Sequence, residues 1–455
     1  MQPEKYDVVV VGSGLGGLGA GAILADRGYK TLVVEKLERI GGRFSTYEYE
    51  GFKLSTGAMA IHRGGPSEEI FKRVGAQSDL VPVPSLFYRI GGKDYEMPAK
   101  GSITAILDII NKLEVDRTKL LGGLAKAVAT EKVMGAFRKS ISEPEKETMT
   151  FWEWLSQYTD NELAHGVFDT MVRSLVGGHT YELPARVVFG WFIKMGGSRD
   201  VGVAPHGNLV NMEKLAKVIK NNDGDVWTSC LVKRIVVEGG IARGIVVQKD
   251  GSELELTSRV VISDASPKKT VELAGQENFN EEYLRMMRLR VRASSIVVCH
   301  VAGDRPVWPP NGEPTSLMVT GTLRMHAVIP MTSIAPDLAP PGQHLTTFQF
   351  HPLSTYLPMN KEEEERQVRL ELSQQFPGYD KHGRILKIDM KDIVDEVPEM
   401  HSKGGSDMPT ETPVKNLYNV GDGCMAYGYS GSTGAAESAL RVVDTIVKRF
   451  KPGKA

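Results

Sequence analysis

The start of the chain constrains its fold more than any other feature. Residues 6–35 read YDVVVVGSGLGGLGAGAILADRGYKTLVVE. The apolar run Tyr6–Val11 has the texture of a parallel strand buried on both faces. Gly12, Gly14 and Gly17 follow in G-x-G-x-x-G spacing, with Ser13 and Gly16 among them. Small and apolar residues continue to Asp26, Gly28 offers a helix stop, and Thr31–Val34 forms a second strand that ends on Glu35. Each glycine meets its own steric need. Gly12 permits a tight turn, Gly14 lets the backbone approach a pyrophosphate, and Gly17 lets helix and strand pack closely. The helix start faces the phosphate charge, and an acid roughly twenty residues further on is placed for a ribose hydroxyl. The glycine motif alone is weak, but strand, helix, strand and acid in this order predict a dinucleotide-binding βαβ unit.

That unit does not separate NAD from FAD, because both carry an ADP half. The following segments do more. Residues 35–43 read EKLERIGGR, so Glu35 and Lys36 lead to a second glycine pair ending at Gly42, then to Arg43, a cation expected near the pyrophosphate. Residues 51–58 read GFKLSTGA and bring Gly57, Ala58 and then Met59. Near the far end, NLYNV (416–420) reads as a short strand running into Gly421-Asp422-Gly423, and GSTGAA (431–436) opens a helix through Val447. Gly431 and Gly434 permit close approach, and the helix start offers free N–H groups and positive partial charge. A reduced flavin carries negative charge near N1 and O2, which such a helix start would stabilise. A nicotinamide enzyme has no need of this second site, so FAD is favoured over NAD.

These segments resemble those of the phytoene desaturase and carotenoid isomerase flavoproteins, within the amine oxidase superfamily. In that group E-K/A-x-x-x-x-G-G-R follows the second strand, and a Gly-Phe then apolar-Asp-x-Gly segment comes next; here Ser55 stands at the Asp position. The likeness continues through Val232, Ile235, Gly244, Gly251 and Val261-Ile262-Ser263. It closes on G-S-T-G-A-A-E-S-A, where Thr433 replaces the usual Pro. The resemblance implies FAD held by Gly12, Ser13, Gly14, Gly16, Gly17, Glu35, Lys36, Gly42, Arg43, Gly57, Ala58, Met59, Val232, Gly421, Asp422, Gly434 and Ala435. It implies that the Val232 backbone touches the adenine and that Asp422 accepts a hydrogen bond from the ribitol chain. His62, Tyr427 and Tyr429 adjoin these motifs and are candidates for the substrate pocket; no side chain is assigned a catalytic role.

The implied fold class is α/β, a Rossmann-like FAD-binding domain with a discontinuous α+β substrate domain. Residues 1–75, 205–270 and 411–455 would form the first, and 76–204 and 271–410 the second. Within them, helices are expected at 104–113, 117–140 and 161–176. Short strands at 232–237, 242–248, 253–256 and 260–263 suggest hairpins and a small meander. The basic and apolar stretch 120–139 reads as a half-buried domain helix in preference to a membrane-surface one. The cluster of Phe151, Trp152, Trp154, Phe189, Trp191 and Phe192 reads mainly as core.

The implied function is an FAD-dependent oxidoreductase acting on a carbon–carbon bond of an apolar, prenyl- or polyene-like substrate. Hydride transfer to or from flavin N5 would desaturate, saturate or isomerise it. Two alternatives stand beside it: an amine oxidase-like enzyme acting on a C–N bond, and a non-catalytic binding or escort protein on the same scaffold. Lys+Arg 55 against Asp+Glu 56 argues against a nucleic-acid partner. Cys230, Cys299 and Cys424 have no metal-ligand spacing and suit a reducing compartment. The early strand leaves no room for a signal peptide, and no run of about eighteen apolar residues is present. A cytoplasmic location is expected, with peripheral membrane contact left open, as are the electron acceptor or donor and the oligomeric state.

Overall fold

The computed structural model describes residues 5–97, 113, 115–137, 149–195, 200–394 and 408–453. The helix expected at 104–113 lies outside these but for Leu113. The first strand, Lys5–Val11, is buried at every position after Lys5, as its continuous apolar run requires. It lies in the middle of a seven-stranded sheet. Asp225–Trp227, Thr31–Val34, Lys5–Val11, the second half of Ser252–Ser263 and Leu417–Asn419 run parallel, side by side in that order. Ser252–Ser263 is one twelve-residue strand rather than the two short runs expected from the sequence. It exchanges partners at Thr257, which pairs antiparallel with Gly244 and parallel with Lys5. The meander Leu231–Glu238, Ile241–Lys249 and the dinucleotide strands are therefore one sheet.

One face of this sheet is covered by the helices Leu15–Asp26, Asn208–Asn221 and Gly431–Arg449, through Leu18, Ile23, Leu215 and Val443. The other face buries Val9, Val34, Ile245 and Val261 against the helices Pro267–Ala274 and Glu281–Arg290. Residues 267–290 thus belong with the first sheet, and the chain crosses to the second layer after Val291 rather than at 270.

The second layer is a seven-stranded sheet ordered Gly383–Lys391, Ile296–Gly303, His344–Phe350, Met325–Ile329, Ser316–Val319, Leu86–Ile90, Lys93–Glu96. All its pairs are antiparallel except Ser316–Val319 with Leu86–Ile90. The helices Arg117–Phe137, Phe151–Ser156, Glu162–Val176 and Ala185–Met195 gather beside it around Phe151, Trp154, Phe189 and Trp191. Leu120 and Leu124 are buried in the same cluster, so part of the apolar side of Arg117–Phe137 is used inside the fold. Trp152, also expected in the core, is 40% exposed. The Lys361–Gln375 helix starts at Asn360, whose side chain accepts from the Glu363 N–H at 3.1 Å. No helix of the described residues is long and apolar enough to cross a membrane.

Candidate cofactor and substrate site

The strands Lys5–Val11, Thr31–Val34 and Leu417–Asn419 run parallel, and the loops after them meet at one edge of the sheet, where open α/β folds bind ligands. Gly12 turns with φ +96°, and its N–H donates to the Val34 carbonyl at 2.8 Å. A Cβ on Gly17 would stand 2.2 Å from the Gly12 carbonyl oxygen, so only glycine allows this helix-to-strand contact. Glu35 is buried and accepts from Ser13 N–H at 3.0 Å, Ser13 Oγ at 2.7 Å and Leu37 N–H at 2.9 Å. Across the cleft, Arg43 donates to both oxygens of Asp422, at 2.7 and 2.8 Å. Residues far apart in sequence are thus joined at one point.

A continuous cavity of about 1560 Å³ runs from this cleft into the space between the two layers. Every residue expected to hold the cofactor lines it except Gly17 and Gly434. Those two act beneath the lining: a Cβ on Gly434 would meet Met425 at 2.3 Å, which brings the start of the last helix against the 421–425 turn. Thr433 and Ala435, on the first turn of that helix, do line the cavity.

The substrate-pocket candidates divide. His62 lines the cavity; burial lowers its pKa, and its ring nitrogens are buried without a hydrogen-bond partner. Tyr427 and Tyr429 do not line it. Tyr427 instead donates to the Arg186 carbonyl at 2.6 Å and lies against Gly190, pinning its loop to the Ala185–Met195 helix. Closeness to the cofactor motif gave the tyrosines' position but not the direction of their side chains.

Several lining residues carry no motif. Asp264, at the end of the Ser252–Ser263 strand, accepts from the Gly17 N–H at 3.0 Å; its place at a parallel-strand end beside the glycine turn is the signal that could have found it. Arg173, His326, Gln349 and His351 line the chamber from the second layer, and nothing in their local sequence marks them.

The glycine turn that lines the cleft at Gly12, Gly14 and Gly16, the open start of the Leu15–Asp26 helix, and the acids Glu35 and Asp422 together fit FAD. This combination, with an enclosed chamber beyond it, defines a flavin-dependent oxidoreductase. Residues 15–447 match the family of flavin-containing amine oxidoreductases, and the chain belongs to that family; its cofactor is FAD. It is 27% identical over 448 residues to an uncharacterised protein of Methanocaldococcus jannaschii, covering 96% of this chain and 98% of the relative. It is 23% identical to the chloroplast prolycopene isomerase of Daucus carota, over 92% of this chain and 77% of the isomerase. The crystal structure of an oxidoreductase from Methanosarcina mazei superposes with a TM-score of 0.81 at 26% identity, covering 97% of this chain and all 100% of the other.

Proposed function

We propose that this FAD-dependent oxidoreductase acts on a carbon–carbon bond of an apolar, prenyl- or polyene-like substrate, by desaturation, saturation or isomerisation. The observation that supports this reading is the wall of the chamber beyond the cofactor cleft, where Met171, Trp191, Leu317, Met318, Ala327 and Ile329 form a mainly apolar lining. FAD supplies the hydride chemistry when bound. The chain's own residues bind and orient: Gly14 and the first helix start take the pyrophosphate, Glu35 a ribose hydroxyl, and Asp422 the ribitol chain. The apolar wall excludes water from the bond to be changed.

An amine substrate needs a carboxylate or aromatic faces to hold its cation. Tyr427 and Tyr429, the residues expected to supply such faces, do not line the cavity, but Trp191, Phe192 and Asp200 do, so the C–N reading is the alternative to be tested. An escort without catalysis would have no use for the buried Glu35 and the Arg43–Asp422 pair at the cofactor. The FAD-loaded protein, mixed in air with a panel of primary amines and polyamines, is expected to release no hydrogen peroxide above background. Robust peroxide release would overturn the carbon–carbon reading.

A further inference from the structure

The second sheet presents a row of side chains to the chamber. Gln349 stands opposite Ala327, Ala327 opposite Met318, and Met318 opposite Tyr88, on four adjacent strands. All four border the cavity. Their neighbours along the strands, Phe348, Val328 and Phe87, pack together in a separate core, as alternation requires. The row has two ends. On the next strand Val298 stands opposite Gln349 and is buried with Phe52, Leu54 and Met59; at the other end Tyr95 stands opposite Tyr88 on the edge strand. Neither Val298 nor Tyr95 borders the cavity. Adjacent strands lie about 4.8 Å apart, so the row from Gln349 to Tyr88 is ~14 Å long and runs across the strands.

A β-bulge decides which side chain takes the second position. Met325 pairs with Phe350, so an unbroken ladder would put His326 opposite Gln349. The extra residue brings Ala327 there instead, and a methyl group stands where an imidazole would. The third position is Met318, whose sulfur accepts from the Ser174 hydroxyl at 3.1 Å and so rests against the Glu162–Val176 helix. Met171 of that helix and Trp191 of the Ala185–Met195 helix border the same space, which keeps it mainly apolar. The Gln349 end is the cofactor end. Gln349 Nε2 lies 3.9 Å from the sulfur of Met59, which borders the cavity beside Gly57 and Ala58 in a segment assigned to FAD.

Resting on the reading of an apolar substrate, we infer that this substrate is an extended chain of about three prenyl units lying across the strands, with its reacting end at Gln349 and its tail at Tyr88. A prenyl unit adds four chain bonds of about 1.5 Å in a zigzag, an advance of about 5 Å, which is one strand spacing. The first unit then spans Gln349 to Ala327, the second Ala327 to Met318, and the third Met318 to Tyr88. Ala327 and Met318 thus set how much chain the site takes, and chain beyond Tyr88 buries no further surface on the row.

The test uses the FAD-loaded protein and linear prenyl alcohols of one to four units: dimethylallyl alcohol, geraniol, farnesol and geranylgeraniol. Dissociation constants are read from the perturbation of the flavin absorbance. The second and third units are each expected to tighten binding about tenfold or more, as burial of five carbons allows, and the fourth by less than about threefold. Ala327→Met should abolish the gain from the second and third units, and Met318→Trp only the gain from the third, with FAD content unchanged in both. If one variant fails to fold, the other decides. A gain that stops at the second unit in the native protein, a fourth unit that adds as much as the third, or a third-unit gain that survives either substitution overturns the inference and leaves the apolar-substrate reading standing. If none of the four alcohols binds, that reading falls with it.

Discussion

Asp264 lies among the glycines proposed to take the pyrophosphate. A Cβ on Gly14 would stand 2.4 Å from its Oδ2, and one on Gly421 2.7 Å from its Oδ1. Burial raises its pKa to about 7; the Gly17 N–H and Arg43 work against that rise, while Asp422 and Glu35 add to it. The phosphate charges of FAD favour the neutral carboxyl, so binding takes up a proton wherever Asp264 is ionised. FAD affinity should therefore be full below this pKa and fall as pH rises through it, by up to ~tenfold per pH unit. A fluorescence titration at about pH 6 and about pH 8.5 measures this. Asp264→Asn should flatten the profile, and a flat profile in the native protein would contradict the assignment. Asp422→Ala removes the bidentate acceptor of Arg43 and should weaken FAD binding by roughly tenfold or more, with little change in thermal unfolding of the FAD-free protein. Undiminished affinity would remove its role. Glu35 was read from its spacing after the glycine motif, Arg43 from the second glycine pair and Asp422 from the resemblance, and all three line the same cleft. Asp264 was not legible in the sequence, because its contact with Gly17 spans 247 residues and exists only once the long strand lies beside the glycine turn.

Among the elements, the first helix and strand depend on one missing side chain. Gly17→Ala would drive a Cβ against the backbone oxygen of Gly12, which cannot move aside. It should destabilise the protein by about 1–3 kcal/mol and abolish FAD binding. Gly434→Ala meets only the flexible Met425 side chain and should be milder. Urea unfolding of both variants ranks them; equal stability would contradict the packing argument. Where Met325–Ile329 pairs with His344–Phe350, a bulge leaves His326 as an extra residue, and just before it Glu371 accepts from the N–H groups of Leu323, Arg324 and Met325, which its removal would leave without their acceptor. Glu371→Ala should cost roughly 3 kcal/mol or more, seen as a lower urea midpoint at unchanged slope. The helix expected at 161–176 is found at Glu162–Val176, with Asn161 as its cap. The bulge was not legible in the sequence, since it is a property of two strands in register and neither strand alone records it. The same holds for Ser252–Ser263, where Thr257 changes partner without any break in its own chain.

At the scale of the molecule, two sheets built from interleaved segments enclose one cavity. The weave was read from the resemblance of three separated segments to one flavoprotein pattern, whereas nothing in the sequence marked the crossing after Val291, since the helices at 267–290 could have covered either sheet. Tyr47, on the Thr46–Tyr49 strand of a separate two-stranded sheet, donates to Asp389 Oδ2 in the second seven-stranded sheet at 2.6 Å and ties the two sheets together. Burial alone would raise the pKa of Asp389, but His300 and Tyr47 hold it well below the usual carboxylate range. A depressed carboxyl contributes stability above the unfolded pKa of about 4 and loses it as pH falls further. Asp389→Asn should therefore lose stability near neutral pH and be less acid-sensitive than the native protein; an identical acid profile would contradict this tie.

The central claim, chemistry at a carbon–carbon bond of an apolar molecule, is tested most directly by product analysis. The FAD-loaded protein is incubated with prenyl and polyene substrates, with an artificial electron donor or acceptor, and the products are separated and weighed by mass spectrometry. A product altered by a pair of hydrogens, or in double-bond geometry alone, is the expected result. Unchanged polyenes alongside amines converted to carbonyl products would contradict it.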